Sequence, residues 1–252
     1  MTATAGIRSA AEAEVRDRLQ AIARPDSRFQ YDLGCFIPDF PGSAEAAGRM
    51  RRLAAYEQAR FVFATPDNAL ISAREALLRD GKPILVPSYG LTQGFLLVDP
   101  KTLPSGAIPY AAWLDGIAHF GRTVTLAELL QMPPIDLCIV GAAAVARNGT
   151  RFGMGYHYFD IEWGLLAGAR LVASGAQVVV PVHDCQVFEQ AIAPSQSHVA
   201  ADVIVTQSAD IRMASSDKLR PGALDHTLLP IELANLPVVR EYDDIVEKNQ
   251  GV

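Results

Sequence analysis

Cysteine is scarce in this chain, and no segment is continuously apolar. The 252 residues include three cysteines, Cys35, Cys138 and Cys185, and none of them has the CxxC spacing of zinc knuckles and redox motifs. A disulfide framework is therefore not expected. No apolar run approaches the roughly 20 residues that a membrane-spanning helix needs, so we expect no membrane partner.

An excess of positive charge is also missing. The chain carries 22 Lys and Arg against 28 Asp and Glu, which gives a formal net charge of −6. Because a broad nucleic-acid surface needs clustered positive charge, we expect no nucleic-acid partner, although local arginines could still bind a small anion. The opening residues 1–17 hold no apolar stretch of the kind found in secretory signals, so we expect a cytoplasmic protein. The sequence does not indicate an oligomeric state.

Strand-like and helix-like patterns alternate along the chain. Short apolar or β-branched runs predict strands at 60–65, 83–87, 94–99, 135–140, 177–182 and 202–206. Helical patterns lie at 43–58, 67–80 and 160–175, and Thr125 with Glu128 forms a capping-box pattern before a short helix. This alternation predicts an α/β protein of three layers, αβα, with a mostly parallel central sheet.

The length suits one α/β domain that covers residues 1–252. Within it we expect an N-terminal helix and extended loop over 1–42 and a covering tail over 211–252. The chain is long enough to bury a full hydrophobic core.

The stretch 148–162, NGTRFGMGYHYFDIE, joins a predicted strand directly to a predicted helix. Gly149, Gly153 and Gly155 permit close approach of the backbone to a ligand. Since α/β sheets bind ligands at the carboxyl ends of their strands, and helix amino termini favour anions, the stretch predicts an anion site. The alternative is a tight connection that needs glycine for its geometry alone.

The polar residues of this stretch also have two interpretations each. Arg151 could bind an anion or pair with a carboxylate of the protein. Asp160 could hold a metal ion, or it could form with Glu162 the acidic first turn that helices favour. His157 could act in the site or could pack and form hydrogen bonds beside the neighbouring tyrosines.

A second polar group follows the predicted strand at 177–182. His183, Asp184 and Gln186 stand where ligand sites gather in α/β proteins, although Asp184 could equally cap a turn. His198 precedes the next strand, and we expect it to hold its loop by hydrogen bonding.

Several motifs together resemble one known family. The run GTRFGMGYHYFD resembles the phosphate-loop signature of the 5-formyltetrahydrofolate cyclo-ligase family, in which glycine, any residue, arginine and an apolar residue precede a glycine-rich run, two aromatics and aspartate. GKPILVP is similar to the family's second strand, and VVVPVHDCQVFEQAIAPSQSHVAADVIVT is similar to its closing pattern. The resemblance spans most of residues 43–210 and implies a cyclo-ligase-like fold.

The resemblance implies an ATP- and Mg-dependent ring closure of 5-formyltetrahydrofolate, or of a related heterocycle, to 5,10-methenyltetrahydrofolate. The formyl oxygen would be phosphorylated, and the neighbouring folate nitrogen would displace phosphate. The implied catalytic residues are Arg151 at the phosphate, Tyr158 at the folate or nucleotide, and Asp160, which would also hold the metal. The implied cofactor-binding residues are Gly149, Gly153, Gly155, His157, Asp184 and Gln186.

The chain departs from the usual family pattern at three positions. Tyr156 and His157 stand where the family places consecutive glycines, and Ile161 stands where arginine usually follows the aspartate. The HDCQ run and the Asp-X-Glu after the aromatics are similar to a divergent branch of the family, whose members need not be cyclo-ligases. The alternative function is therefore a homologue that binds a nucleotide, folate or other small molecule in regulation or salvage. A third possibility keeps only the architecture, in a sugar-phosphate or acyl-transfer enzyme.

Overall fold

The structure, a computed structural model, describes residues 13–14, 17–26, 28, 32–33, 36–152, 158–191, 198–214 and 220–250. The helices are α1 (Ser43–Met50), α2 (Ala54–Gln58), α3 (Ile71–Arg79), α4 (Ile108–Ala111), α5 (Leu114–Phe120), α6 (Leu126–Leu129), α7 (Tyr158–Gly168), α8 (Ile231–Ala234) and α9 (Pro237–Gln250). Residues 13–14 and 17–20 are also helical.

The strands are β1 (Val62–Ala64), β2 (Ile84–Pro87), β3 (Phe95–Val98), β4 (Arg122–Val124), β5 (Ile135–Ile139), β6 (Ala144–Ala146), β7 (Arg151–Phe152), β8 (Val172–Pro181), β9 (Val187–Phe188), β10 (Val203–Val205) and β11 (Asp210–Arg212). Eight of them form one sheet in the order β11-β10-β8-β5-β1-β2-β3-β4. The five central strands, from β10 to β2, are parallel, while β3 and β11 run in the opposite direction. At the edge, β4 pairs antiparallel with β3 and so runs in the direction of the central strands. The predicted mostly parallel sheet is therefore confirmed.

Both faces of this sheet are covered by helices, because the side chains of each central strand alternate between two cores. Phe63 and Cys138 point to the face on which α6, α7 and α9 pack. Val62 and Leu137 point to the opposite face, which is covered by α1, α3 and α5. The predicted three-layer αβα architecture is confirmed.

The strand order reverses between β1 and β5. From β1 the chain proceeds outward through β2, β3 and β4, and then returns to place β5 on the other side of β1. At the carboxyl ends of this pair, the Thr65 backbone N–H donates to the Ile139 carbonyl at 3.1 Å, and the Gly141 N–H donates to the Thr65 hydroxyl at 2.9 Å. Such a switch point is where open α/β sheets bind their ligands.

Two predicted helices have different bounds in the structure. The helix predicted at 43–58 is divided, because Leu53 is extended between α1 and α2 and its side chain is buried in the core. The helix predicted at 160–175 ends at Gly168, because Arg170 takes a left-handed φ of 61° and the chain from Val172 onward pairs in β8.

The predicted direct passage from strand to glycine loop is also wrong. β6 and β7 form an antiparallel hairpin after β5, and β9 pairs with β6 to complete a small second sheet. The turn of this hairpin contains Gly149, whose φ is 84°. The segment that leads into α7 therefore starts from β7 and not from β5.

The C-terminal residues described here pack against α7. The Trp163 indole N–H donates to the Pro221 carbonyl at 2.8 Å, and a Cβ on Gly164 would lie 2.9 Å from Leu224 Cα. A Cβ on Gly168 would lie 2.3 Å from the Tyr242 hydroxyl. These contacts agree with a covering role, and the single-domain assignment of 1–252 stays a prediction. In the described ranges no helix combines the length and apolar character that a membrane crossing requires.

Candidate functional site

Arg151 connects the small sheet to the start of α7. Its side chain is only 5% exposed; Nε donates to the Val199 carbonyl at 2.8 Å, and Nη2 donates to Asp160 Oδ1 at 2.6 Å. The guanidinium carbon lies 4.6 Å from the centroid of the Phe159 ring. Arg151 is therefore paired with a carboxylate, which was the alternative interpretation from the sequence, and its proposed phosphate contact stays a prediction.

His198 completes this network. Its Nε2 accepts a hydrogen bond from the Arg151 backbone N–H at 2.9 Å, and its Nδ1 lies 3.4 Å from Asp160 Oδ2. Because Nε2 acts as an acceptor, the ring proton is assigned to Nδ1, where it faces the carboxylate. The prediction that His198 holds its loop by hydrogen bonding is confirmed.

Burial and charge act in opposite directions on the two ionic groups of the network. Burial lowers the pKa of Arg151 below its usual value, although Asp160 opposes this effect. Burial tends to raise the pKa of Asp160, but Arg151, His198 and the Val199 N–H together hold that pKa below its ordinary range. The lowered pKa keeps Asp160 ionised at neutral pH, and both members of the pair have protein hydrogen-bond partners.

Asp160 does not fit the role of a magnesium ligand in this arrangement. Oδ1 accepts from Arg151 and from the Val199 N–H at 3.0 Å, and Oδ2 faces His198. A guanidinium at this distance would repel a divalent cation. Across the part of the chain that the structure describes, no group of three or more His, Cys, Asp or Glu side chains is arranged to hold a metal ion. Metal binding by Asp160 stays a prediction that this geometry does not favour.

The predicted glycines fall into two groups. Gly149 is required by its positive φ and by packing, since a Cβ there would lie 2.7 Å from the Ala201 carbonyl oxygen. Its backbone N–H donates to the Ala146 carbonyl and its own carbonyl accepts from the Ala201 N–H, at 2.8 and 2.9 Å. Gly153, Gly155 and His157 lie outside the described residues, as does Tyr156. Cofactor binding by these predicted residues stays a prediction.

Gln186 and Asp184 lie after β8, in a single 3₁₀ turn. The Gln186 amide is fully buried; it donates to the Ala142 and Ala143 carbonyls at 2.9 and 3.1 Å and accepts from the His183 N–H at 2.7 Å. Asp184 is exposed and accepts from the Ser208 hydroxyl at 2.7 Å. Gln186 thus ties the end of β8 to the segment after β5, and cofactor binding by both residues stays a prediction.

Two carboxyl groups, the half-buried Asp67 and the buried Glu162, lie near the switch point. Asp67 follows β1 and accepts a hydrogen bond from the Thr65 hydroxyl through Oδ2. Glu162 lies on α7, is 3% exposed, and its Oε2 has no hydrogen-bond partner. Burial raises the pKa of Glu162 well above its ordinary value, and the negative charge of Asp67 adds to this effect. Burial also raises the pKa of Asp67.

The cation nearest to β1, Arg74 of α3, is fully buried and binds backbone carbonyls. Its Nη1 donates to the Thr65 and Asp67 carbonyls at 2.7 and 2.9 Å, and its Nε donates to the Ala112 carbonyl at 2.8 Å. Burial lowers the pKa of Arg74 to about 10, so it remains protonated at neutral pH. Arg74 holds the end of β1 in place through these hydrogen bonds. Its positive charge favours the ionised form of Asp67 and so lowers the pKa of that group.

Tyr158 stands at the start of α7 and is half-buried. Its hydroxyl lies 4.0 Å from the position that a Cβ on Gly90 would take, so the connection between β2 and β3 approaches the same helix end. Tyr89 is exposed in that connection. A role for Tyr158 in binding folate or nucleotide stays a prediction.

Sequence reasoning missed Asp67 and Arg74 as site residues, and it interpreted Glu162 only as part of an acidic helix turn. Asp67 follows the predicted strand at 60–65 in the same way that Asp184 follows the strand at 177–182, so the same rule would have found it. Arg74 occupies the apolar stripe of its helix, between Leu70 and Leu77, which signals a charge directed into the core. The burial of Glu162 has no comparable local signal.

The geometry can be compared with known proteins. A family model described as 5-formyltetrahydrofolate cyclo-ligase family matches residues 5–207. The chain is similar to the methenyltetrahydrofolate synthase domain-containing protein of Mus musculus, with 32% identity over 220 residues, 85% of this chain and 58% of that protein. The protein of the same name from Bos taurus is 31% identical over 210 residues, 81% of this chain and 54% of that protein. The chain thus spans little more than half the length of these curated relatives.

Among solved structures, the chain is similar to the NMR structure of Aquifex aeolicus 5,10-methenyltetrahydrofolate synthetase. The sequence identity is 18% and the TM-score is 0.45, and the likeness covers 69% of this chain and 82% of that chain.

The buried network leads to a prediction for Arg151→Ala. Removing the guanidinium leaves Asp160 buried without its cation, so the free energy of unfolding should fall by about 3–5 kcal/mol in urea denaturation. Arg147 is the matched control, since it is exposed and pairs with Glu189 at the surface. Arg147→Ala should leave the unfolding curve unchanged, and equal effects of the two variants would contradict the structural role of Arg151.

Glu162→Gln should change how stability depends on pH. The folded-state pKa of Glu162 lies above the ordinary value of 4.5, so its stabilising contribution is fully present below that value and is lost as the pH rises through the folded pKa. Glutamine does not titrate. The stability of Glu162→Gln relative to the unaltered chain should therefore increase from about pH 5 to about pH 8, measured by urea unfolding. The exposed control Glu232→Gln should show a constant difference; a constant difference for Glu162→Gln would refute the raised pKa.

Proposed function

Because the chain belongs to the 5-formyltetrahydrofolate cyclo-ligase family, we propose that it catalyses an ATP-dependent ring closure on 5-formyltetrahydrofolate or a related heterocycle. The family and the names of the relatives support the prediction of a ligase-type enzyme. Folate metabolism is the corresponding setting.

The proposed chemistry consists of two displacements. The formyl oxygen attacks the γ-phosphorus of ATP, and ADP leaves. The neighbouring folate nitrogen then bonds to the formyl carbon, phosphate leaves with the formyl oxygen, and the nitrogen loses its proton to give 5,10-methenyltetrahydrofolate. Such steps depend mainly on positioning and on neutralising developing charge. We place magnesium on the phosphates of ATP, since Asp160 is engaged by Arg151 and His198.

One observation supports the proposal most strongly. The family's glycine-rich segment leads into α7, and α7 carries Glu162 close enough to Asp67, at the end of β1, for their charges to interact. This proximity supports the proposal that the segment with the family signature and the switch point of the sheet belong to one site. An α/β protein that binds a small ligand is expected to hold it at this position.

The roles of the individual residues follow from their contacts. Arg151 and Asp160 fix the start of α7 relative to β7. We propose the glycine-rich segment between them in the sequence as the phosphate-binding element. Tyr158 is proposed to line the folate or nucleotide pocket beside the connection between β2 and β3. Thr65 and Gly141 hold the ends of β1 and β5 together beneath the substrate.

The hydrogen bonds that Arg151 makes within the protein favour a second candidate function. Its Nε and Nη2 both donate to protein acceptors, although the family resemblance assigns this side chain to phosphate. A homologue that binds a nucleotide, a folate or another small molecule without turnover, in regulation or salvage, is therefore the second proposal.

An activity assay distinguishes the two candidates. We expect the full chain, mixed with 5-formyltetrahydrofolate and MgATP, to produce the methenyl chromophore together with an equal amount of ADP, and we expect no chromophore without ATP. Thermal unfolding with ATP, ADP and 5-formyltetrahydrofolate is measured in parallel, because a ligand that binds the folded state raises the melting temperature. A shift without product would favour the binding protein. Neither product nor shift, with folded protein, would refute both candidates.

A further inference from the structure

Glu162 is an unusual residue for its position in α7. The helix buries Phe159, Ile161, Glu162, Trp163, Gly164, Leu165 and Leu166, and Glu162 is the charged member of this set. An apolar side chain would pack there without losing hydration, whereas a buried acceptor that lacks a donor is costly. The Oε2 atom of Glu162 has no such donor among the described residues. A ligand that supplies the donor would account for the residue.

Asp67, whose charge acts on Glu162, is held in a fixed position by its neighbours. A Cβ on Gly141 would lie 2.3 Å from Asp67 Oδ2, so glycine at the end of β5 leaves room for the carboxyl group. The Thr65 hydroxyl donates to the same oxygen. The carboxyl group of Asp67 is thus fixed between the ends of β1 and β5, where the strand order reverses.

The buried arginines do not neutralise Glu162 by hydrogen bonding. Arg74 donates to the carbonyls of Thr65, Asp67 and Ala112, and the Arg151 side chain donates to the Val199 carbonyl and to Asp160. The Glu162 carboxyl group is therefore left with an acceptor oxygen that no described donor satisfies. Its chemical complement is a planar group with adjacent N–H donors, since two parallel N–H bonds match the geometry of a carboxyl group.

We propose that Glu162 determines the specificity for the heterocycle by accepting hydrogen bonds from the N–H and amino groups of a 2-amino-4-oxopyrimidine edge, as in a pterin. This inference rests on the proposed function, which supplies a reduced folate as the substrate class. It assigns a role to a residue outside the glycine-rich segment.

Two heterocycles that differ at one position test this role. Pterin carries an amino group at position 2, and lumazine carries an oxo group there, so the donor is replaced by an acceptor. We expect calorimetric titration of the full chain to show at least tenfold tighter binding of pterin, about 1.4 kcal/mol. In Glu162→Gln the amide can donate to the oxo group, so the preference should fall at least tenfold.

The controls separate a loss of specificity from a loss of fold. Glu232→Gln, an exposed change of the same chemistry, should keep the preference of the unaltered chain. Circular dichroism and urea unfolding should show that Glu162→Gln is folded and no less stable. A folded Glu162→Gln that keeps the pterin preference would overturn the inference.

The methenyl assay on the same preparations distinguishes the failure of this inference from the failure of the proposed function. Product formation by the unaltered chain, combined with an unchanged preference in Glu162→Gln, would leave the function standing and remove the role of Glu162. A preference that Glu162→Gln abolishes, without product in the unaltered chain, would support the pterin site and refute turnover. Absence of both product and preference would overturn both.

Discussion

The burial of charge at the carboxyl edge of the sheet is the constraint on which the rest of the structure depends. Arg74, Glu162 and Arg151 are buried there, and Asp67 and Asp160 lie beside them with partial exposure. Charges in this environment must be paired, neutralised by protonation, or satisfied by a ligand. Arg151 and Asp160 meet this requirement through each other, through His198 and through the Val199 backbone. They therefore stabilise the junction of β7 with α7.

Glu162 meets the requirement differently. Its pKa is raised and one oxygen lacks a hydrogen-bond donor, so the folded chain keeps a group that destabilises it near neutral pH. Buried polar groups without partners are uncommon and need an explanation. Asp160 lies only two residues earlier in the same helix and has protein partners for both oxygens, so we infer a structural role for it. For Glu162 we infer a role in ligand binding.

Much of the fold could be predicted because its signals are local. The apolar strands at 60–65 and 135–140 place alternate side chains in two cores, which agrees with a sheet covered on both faces. The capping box of Thr125 and Glu128 is present at the start of α6. The segment 149–160 also carried the family resemblance, because that signature is contiguous in the sequence.

The rest of the site depends on contacts between distant segments. Gly164 and Gly168 make room in α7 for Leu224 and Tyr242, which follow in the sequence only after β11. Asp67 and Glu162 belong to different crossovers of the sheet, and only the strand order β5-β1 brings them together. Arg151 was interpreted as a phosphate ligand, and its bond to Val199 required the position of a loop almost fifty residues away.

A crystal structure of the full chain with 5-formyltetrahydrofolate tests the central claim most directly. The account predicts that the heterocycle lies between the carboxyl ends of β1 and β5, with an N–H donor about 2.7–3.2 Å from Glu162 Oε2. A heterocycle bound elsewhere, for example in the open groove lined by Arg51, Tyr56 and Asp80, with Glu162 Oε2 still lacking a donor, would contradict it.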